Sequence, residues 1–101
     1  MRRGTTPTFE ISLNGIGVSE IGNVHITFKQ YKKLLIKYME DITADENKNA
    51  ICVTLSQEET LMFSSGYAYI QLKFLTKDGF VTATEIRMEP VEEILEESVI
   101  T

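Results

Sequence analysis

Apolar and polar residues alternate with a period of two over most of the chain, the pattern of half-buried strands. Phe9, Ile11 and Leu13 alternate with Thr8, Glu10 and Ser12 and predict a first strand. Asn14-Gly15 breaks it, and a glycine-punctuated connector runs to Asn23. Val24, Ile26 and Phe28 alternate with His25, Thr27 and Lys29 in a second strand. A hairpin turn is expected over Gln30 to Lys33, without the Gly or Asn that would set its type. Leu34 to Met39 predicts a third strand, with Leu34, Ile36 and Tyr38 on one face and Leu35 and Met39 on the other. A strand apolar on both faces points to cover on both sides, for which a partner chain is a candidate.

Asp41 to Asn49 is polar and reads as a loop, and Ile51, Val53 and Leu55 then alternate with Cys52 and Thr54 in a fourth strand. Ser56-Gln57-Glu58-Glu59 is a capping box, in which the Ser hydroxyl and the Glu three residues on satisfy exposed amides. It predicts a short helical turn near residues 56–63, stopped by Ser65-Gly66. A fifth strand follows, with Ala68, Ile70, Leu72 and Phe74 inward and Tyr67, Tyr69, Gln71 and Lys73 outward. Asp78-Gly79 is a strong hairpin signal leading to a sixth strand, Phe80 to Met88. Pro90 ends that strand or places it on an edge. Val91 to Thr101 fits a short seventh strand, a helix or a solvated acidic tail. Six to seven short strands with one helical turn specify an all-β sandwich. The expected organisation is one domain over 1–101, with a flexible lead-in over 1–7 and an acidic tail over 91–101.

Composition narrows the function classes. With 101 residues the chain is long enough for one core, and its 10 Lys and Arg against 15 Asp and Glu leave a net charge of −5. That balance argues against nucleic acid, which is bound through a basic face. A single cysteine, Cys52, excludes an internal disulfide. Arg2-Arg3 is followed by polar residues and Pro7 rather than an apolar run, so no signal peptide is expected, and nothing approaches a membrane span. A reducing cytoplasm, or exit from it without a signal peptide, is expected.

Each candidate chemistry meets a simpler reading. His25 and Cys52 are the only residues from which a Cys–His pair could be built, and both fall at polar positions of their strands without a local catalytic signature. Asp41-x-Thr43-x-Asp45 opens like a calcium loop, but Glu46 replaces the required Gly and Cys52 the bidentate Glu. Gly15-x-Gly17 lacks the third Gly of a dinucleotide turn. Lys29, Lys32, Lys33 and Lys37, with Tyr31 and Tyr38 interleaved, fit the charged guarding of an edge strand better than a single-strand binder. No catalytic residue, metal ligand or cofactor is therefore assigned.

Charge is unevenly spread: residues 1–50 carry a net +1 and residues 51–101 a net −6. Glu92, Glu93, Glu96 and Glu97 crowd beside Val91, Ile94, Leu95 and Val99, so the tail reads as a docking segment. Candidate protein contacts are thus Leu34, Leu35, Ile36, Tyr38 and Met39, together with Val91, Ile94, Leu95 and Val99. Both segments carry surplus apolar side chains, which makes a homo-oligomer an open alternative. Tyr67 and Tyr69 are candidate corner or surface aromatics, the one exposed pair on which a carbohydrate could stack.

Three stretches carry a resemblance. Met1 to Thr8 runs directly into a strand; Val24-His25-Ile26-Thr27-Phe28-Lys29-Gln30 precedes Ile51 to Phe63; and Tyr69 to Gly79 closes the pattern. In this order the chain resembles small prophage-encoded proteins of Firmicutes and, more distantly, is similar to the immunoglobulin-like N-terminal domain of phage baseplate upper proteins. The resemblance implies an immunoglobulin-like sandwich and a non-enzymatic structural or assembly role in a phage tail or baseplate, with other tail or baseplate proteins as partners. It also implies a location in the bacterial host cytoplasm during assembly and then in the virion. It transfers no functional residues. A helical turn before a Tyr-bearing strand fits such a sandwich, whose Tyr hydroxyl bonds back to the preceding corner. The rival expectations are a carbohydrate- or cell-surface-binding module and a small regulatory or inhibitor protein.

Overall fold

The computed structural model describes residues Met1–Thr101. Alternating side chains place eight strands in two antiparallel sheets around one core. In chain order they are β1 (Thr8–Ser12), β2 (Ile21–Gln30), β3 (Lys33–Lys37), β4 (Ile42–Asp45), β5 (Ala50–Thr54), β6 (Gly66–Thr76), β7 (Val81–Ala83) and β8 (Arg87–Val91). One sheet has the order β1-β5-β4; the other runs β3-β2-β6-β7, with β8 also on β6. Strands that cross between sheets in this order make an immunoglobulin-like sandwich in which β1, β5 and β4 hold the places of strands B, E and D. β3, β2, β6 and the β7/β8 pair hold those of C′, C, F and G. No full strand occupies the place of strand A beside β1. No helix is long and apolar enough to cross a membrane.

The core follows the period-two pattern. Val24, Ile26 and Phe28 of β2 face Ala68, Ile70, Leu72 and Phe74 of β6 within one sheet, and Phe9, Ile51, Val53 and Leu55 close over them from the other. Phe9 and Phe28 meet edge to face across the sheets, 5.3 Å between centroids. The helix α1 (Gln57–Leu61) forms as its capping box requires. The Ser56 hydroxyl accepts from the Glu59 amide at 3.1 Å, and the Glu59 carboxylate accepts from the Ser56 amide at 2.8 Å. Its exit drops Phe63 into the core with no exposed surface.

The structure corrects two expectations and decides two alternatives. The loop expected over Asp41 to Asn49 contains β4, because Ile42 and Ala44 pair with Val53 and Ile51 on the inner face while Thr43 and Asp45 face out. The single strand expected over Phe80 to Met88 is two, β7 and β8. Lys73 pairs with Ala83 but Ile70 with Arg87, so β6 faces one extra residue on its partner between them. This bulge at Thr84–Ile86 shifts the side-chain phase by one. Pro90 lies within β8, on an edge, where its missing N–H costs nothing. Beyond Val91 the tail forms neither strand nor helix.

Residues 1–7 are tied down rather than free. Met1 is buried, the Glu92 amide donates to its carbonyl at 2.8 Å, and the Arg3 amide donates to the Glu92 carbonyl at 3.0 Å. These bonds form a short parallel ladder on the foot of β8.

Candidate protein-contact face

The two outer faces of the sandwich differ in chemistry. The outward residues of the three-stranded sheet are Thr8, Glu10, Ser12, Thr43, Asp45, Cys52 and Thr54, with Ala50 covered in the same row, a small and mostly polar set suited to water. The five-stranded sheet turns out a different set. Leu34 of β3, Lys29 of β2, Tyr69 of β6 and Met88 of β8 stand in one cross-strand row. Leu34, Tyr69 and Met88 are 53, 48 and 57 % exposed. Ile36, Thr27 and Gln71 form the next row, and His25, Lys73 and Ala83 the one after. Tyr38 packs edge-on against His25 at 5.0 Å. Leu75 pairs with Val81 at the far end and Tyr67 with Pro90 at the near end. No outward strand position on this sheet is Asp or Glu, although the chain carries 15 of them.

The expected contact residues separate on this frame. Leu34, Ile36 and Tyr38 belong to the outer face, with Met39 exposed at its margin. Leu35 points inward beside Phe28 and packs on the core. Val91 is core, at 4 % exposure, rather than surface. Ile94 lies against Gly4, Leu95 stands free in solvent, and Val99 and Ile100 lie near α1, where Gln57 hydrogen-bonds both backbone groups of Ile100.

The acidic tail is matched within the chain. Arg2 donates to the Glu92 carboxylate at 2.8 Å and Arg3 to the carboxylates of Glu93 and Glu97. Arg3 also donates to the carbonyl of Phe63 at 2.6 Å and that of Leu61 at 3.3 Å, at the exit of α1. The Glu93 and Glu97 bonds raise the Arg3 pKa, and the Arg3 bond in turn lowers that of Glu93. The charge asymmetry along the chain therefore closes a clasp between its two ends, and Leu95 is the one expected tail contact left fully exposed.

Other polar groups have structural partners. Asp45 accepts from the amides of Asn47 and Lys48, and Asp41 from that of Tyr38, so both carboxylates serve turns. His25 and Cys52 lie on opposite outer faces, with the core between them. Lys33 donates to the Ser64 hydroxyl at 2.8 Å, and Lys37 to Glu59 at 2.8 Å. Burial pushes the Glu59 carboxyl up, but the bonds from Lys37 and Ser56 outweigh it and hold its pKa below the usual value.

Tyr67 and Tyr69 are outward on β6, and neither hydroxyl bonds back to the corner. That duty falls to Gln30, a polar residue at an inward position with 1 % exposure. Its amide donates to the Ser64 carbonyl at 2.7 Å and the Tyr67 carbonyl at 3.3 Å, and its oxygen accepts from the Ser64 amide at 2.8 Å.

Sequence reasoning missed Met88, Leu75 and Val81 on the face, because only the register across β6 places them there. Tyr31, noted in sequence only within the lysine cluster, was not expected as a contact. The β2–β3 hairpin turns through Tyr31 and Lys32 alone, and Tyr31 takes φ +54° with 88 % of its surface exposed. A bulky residue in a left-handed turn position, with its ring in solvent, contributes nothing to the fold that glycine would not. Comparison with protein-family models, curated proteins and solved structures finds no match to this chain.

Proposed function

We propose that the chain is a non-enzymatic assembly module of a phage tail or baseplate, docking other proteins through the outer face of its five-stranded sheet. One observation carries the docking reading: that face sets exposed Leu, Met and Tyr side chains and the partly exposed Ile36 among Lys29, Lys73, His25, Thr27 and Gln71 and carries no carboxylate, while the opposite face is small and polar. The phage setting rests on the sequence resemblance. Covering a half-exposed Leu, Tyr or Met contributes about 1 kcal/mol, so Leu34, Tyr69, Met88 and Tyr67 together give a modest attraction before the cost of association. Such contacts suit an assembly in which many copies engage at once. Lys29 and Lys73 favour a partner with an acidic rim, which sets orientation more than affinity.

The test is composition of particles induced from the lysogen that encodes the chain. Purified particles are expected to contain it in fixed proportion to the other tail proteins. A Leu34→Glu/Tyr69→Glu variant is expected to fold normally and to be lost from them. Particles that never contain the chain contradict the reading. The exposed pair Tyr67 and Tyr69, beside Gln71, favours a second reading as a carbohydrate-binding face; binding on a glycan array that Tyr69→Ala abolishes would support it instead.

A further inference from the structure

Between the sheets, on the side where β1 faces β7 and the bulge, lies a cleft of about 690 Å³. Its walls include Ile11 of β1 and Leu13 just beyond it, Leu72 and Phe74 from the floor of β6, and Thr84 and Arg87 from the opposite rim. Ile11 remains partly exposed although its side chain points between the sheets, and the partly exposed Thr84 hydroxyl accepts from the Leu72 amide at 3.1 Å. This is the place that a strand A would fill in an immunoglobulin-like sandwich, beside strand B.

The backbone along this side is also open. The Leu13 amide donates to Asn49 and the Pro7 carbonyl accepts from Leu55, so the odd-numbered residues of this stretch turn their N–H and C=O groups toward β5. Thr8, Glu10 and Ser12 therefore turn theirs the other way, along the free edge. One contact meets them: Arg87 donates to the Glu10 carbonyl at 3.4 Å with its guanidinium 5.8 Å from the centre of the Phe9 ring, and an incoming strand displaces it. The ladder of Met1–Arg3 covers the foot of β8 at Pro90–Glu92 and leaves the edge above it bare. A free strand edge over an apolar cleft is the geometry of strand addition, in which backbone bonds supply affinity and alternate side chains enter the cleft.

We propose that this cleft and the β1 edge accept one extended strand of another polypeptide, running antiparallel to β1. The occupant's chemistry follows from the edge. Its inward positions, over Ile11 and Leu13, are small or β-branched and apolar. Its outward position opposite Glu10 is basic, because oppositely charged cross-strand pairs stabilise and like pairs repel. Glu85 on the far rim adds to that preference, and an incoming basic side chain competes there with Lys48, which meets the Glu10 carboxylate at 3.4 Å, and with Arg87 on the same rim. The acidic tail of a second copy has the wrong charge for this place.

The probe is a capped seven-residue peptide alternating valine and lysine, titrated into the full chain and followed by amide hydrogen exchange. At saturation the amides of Thr8, Glu10 and Ser12 are expected to slow about tenfold or more, while those of Phe9 and Ile11, already paired with β5, stay unchanged. A peptide of the same composition with its valines and lysines in separate blocks should not do this. Ser12→Pro removes an edge N–H without touching a β5 bond, and should abolish the effect where Ser12→Ala keeps it. Glu10→Gln should weaken it several-fold. Equal exchange with and without the alternating peptide would overturn the proposal. So would protection of the same three amides that rises with protein concentration alone, which would make a second copy the occupant.

Discussion

Replacing Gln30 with Leu removes a buried polar side chain that joins the end of β2 to the corner between α1 and β6. Three hydrogen bonds are lost, two of them short at 2.7 and 2.8 Å. Ser64 lies on an exposed stretch, so water reaches its freed amide and carbonyl. The loss per bond therefore stays near the net value of about 1 kcal/mol rather than a full desolvation penalty. Leu has nearly the same bulk and recovers part of this by burying apolar surface, which leaves a destabilisation of about 1–2 kcal/mol. Gln30→Ala opens a cavity as well and should cost about 3 kcal/mol. For a domain of this size the Leu variant should melt roughly 5–15 °C lower. The chain has no Trp, so urea unfolding is followed by far-ultraviolet circular dichroism, where the midpoint should fall with an unchanged slope. Gln30→Leu within about 0.5 kcal/mol of the parent would refute the assignment of the corner to this side chain.

Two further outcomes follow from the polar contacts and the hairpin. The Glu59 pKa lies below its unfolded value, so its contribution to stability is present above about pH 4.5 and is lost as pH falls through the folded value. Glu59→Gln should lower stability by about 0.5–1 kcal/mol at pH 7, and urea midpoints of parent and variant should converge once the pH has fallen through the folded Glu59 value. Tyr31→Gly relieves a left-handed φ at the hairpin tip and should raise stability by about 1 kcal/mol in thermal unfolding; a fall would mean that the ring supports the fold.

Much of the fold was legible because inward positions follow one another in simple alternation. Phe9 to Leu13, Val24 to Phe28, Ile51 to Leu55 and Ala68 to Phe74 all do so, and Ser56 and Glu59 mark the helix. β4 escaped notice because Ile42 is its only large apolar side chain and acidic residues surround it. The bulge at Thr84–Ile86 hid the boundary of β7 and β8 by shifting the phase mid-strand. The clasp of Arg2 and Arg3 on Glu92, Glu93 and Glu97 joins residues some ninety positions apart, and no local pattern signals such a contact. The outward apolar residues of the five-stranded sheet were half legible. Leu34, Ile36, Tyr38, Tyr67 and Tyr69 stand out in sequence as apolar residues in outward phase, whereas Met88, Leu75 and Val81 join them only through the register.

The proposed function requires the outer face of the five-stranded sheet to be covered by other proteins in the assembled particle. Hydroxyl-radical footprinting, read residue by residue on the free chain and on the chain in purified particles, measures this directly. Leu34, Tyr69 and Met88 should label readily in the free chain and lose most of that labelling in the particle, with Leu95 on the tail unchanged. Equal labelling of the three in both states would contradict the claim.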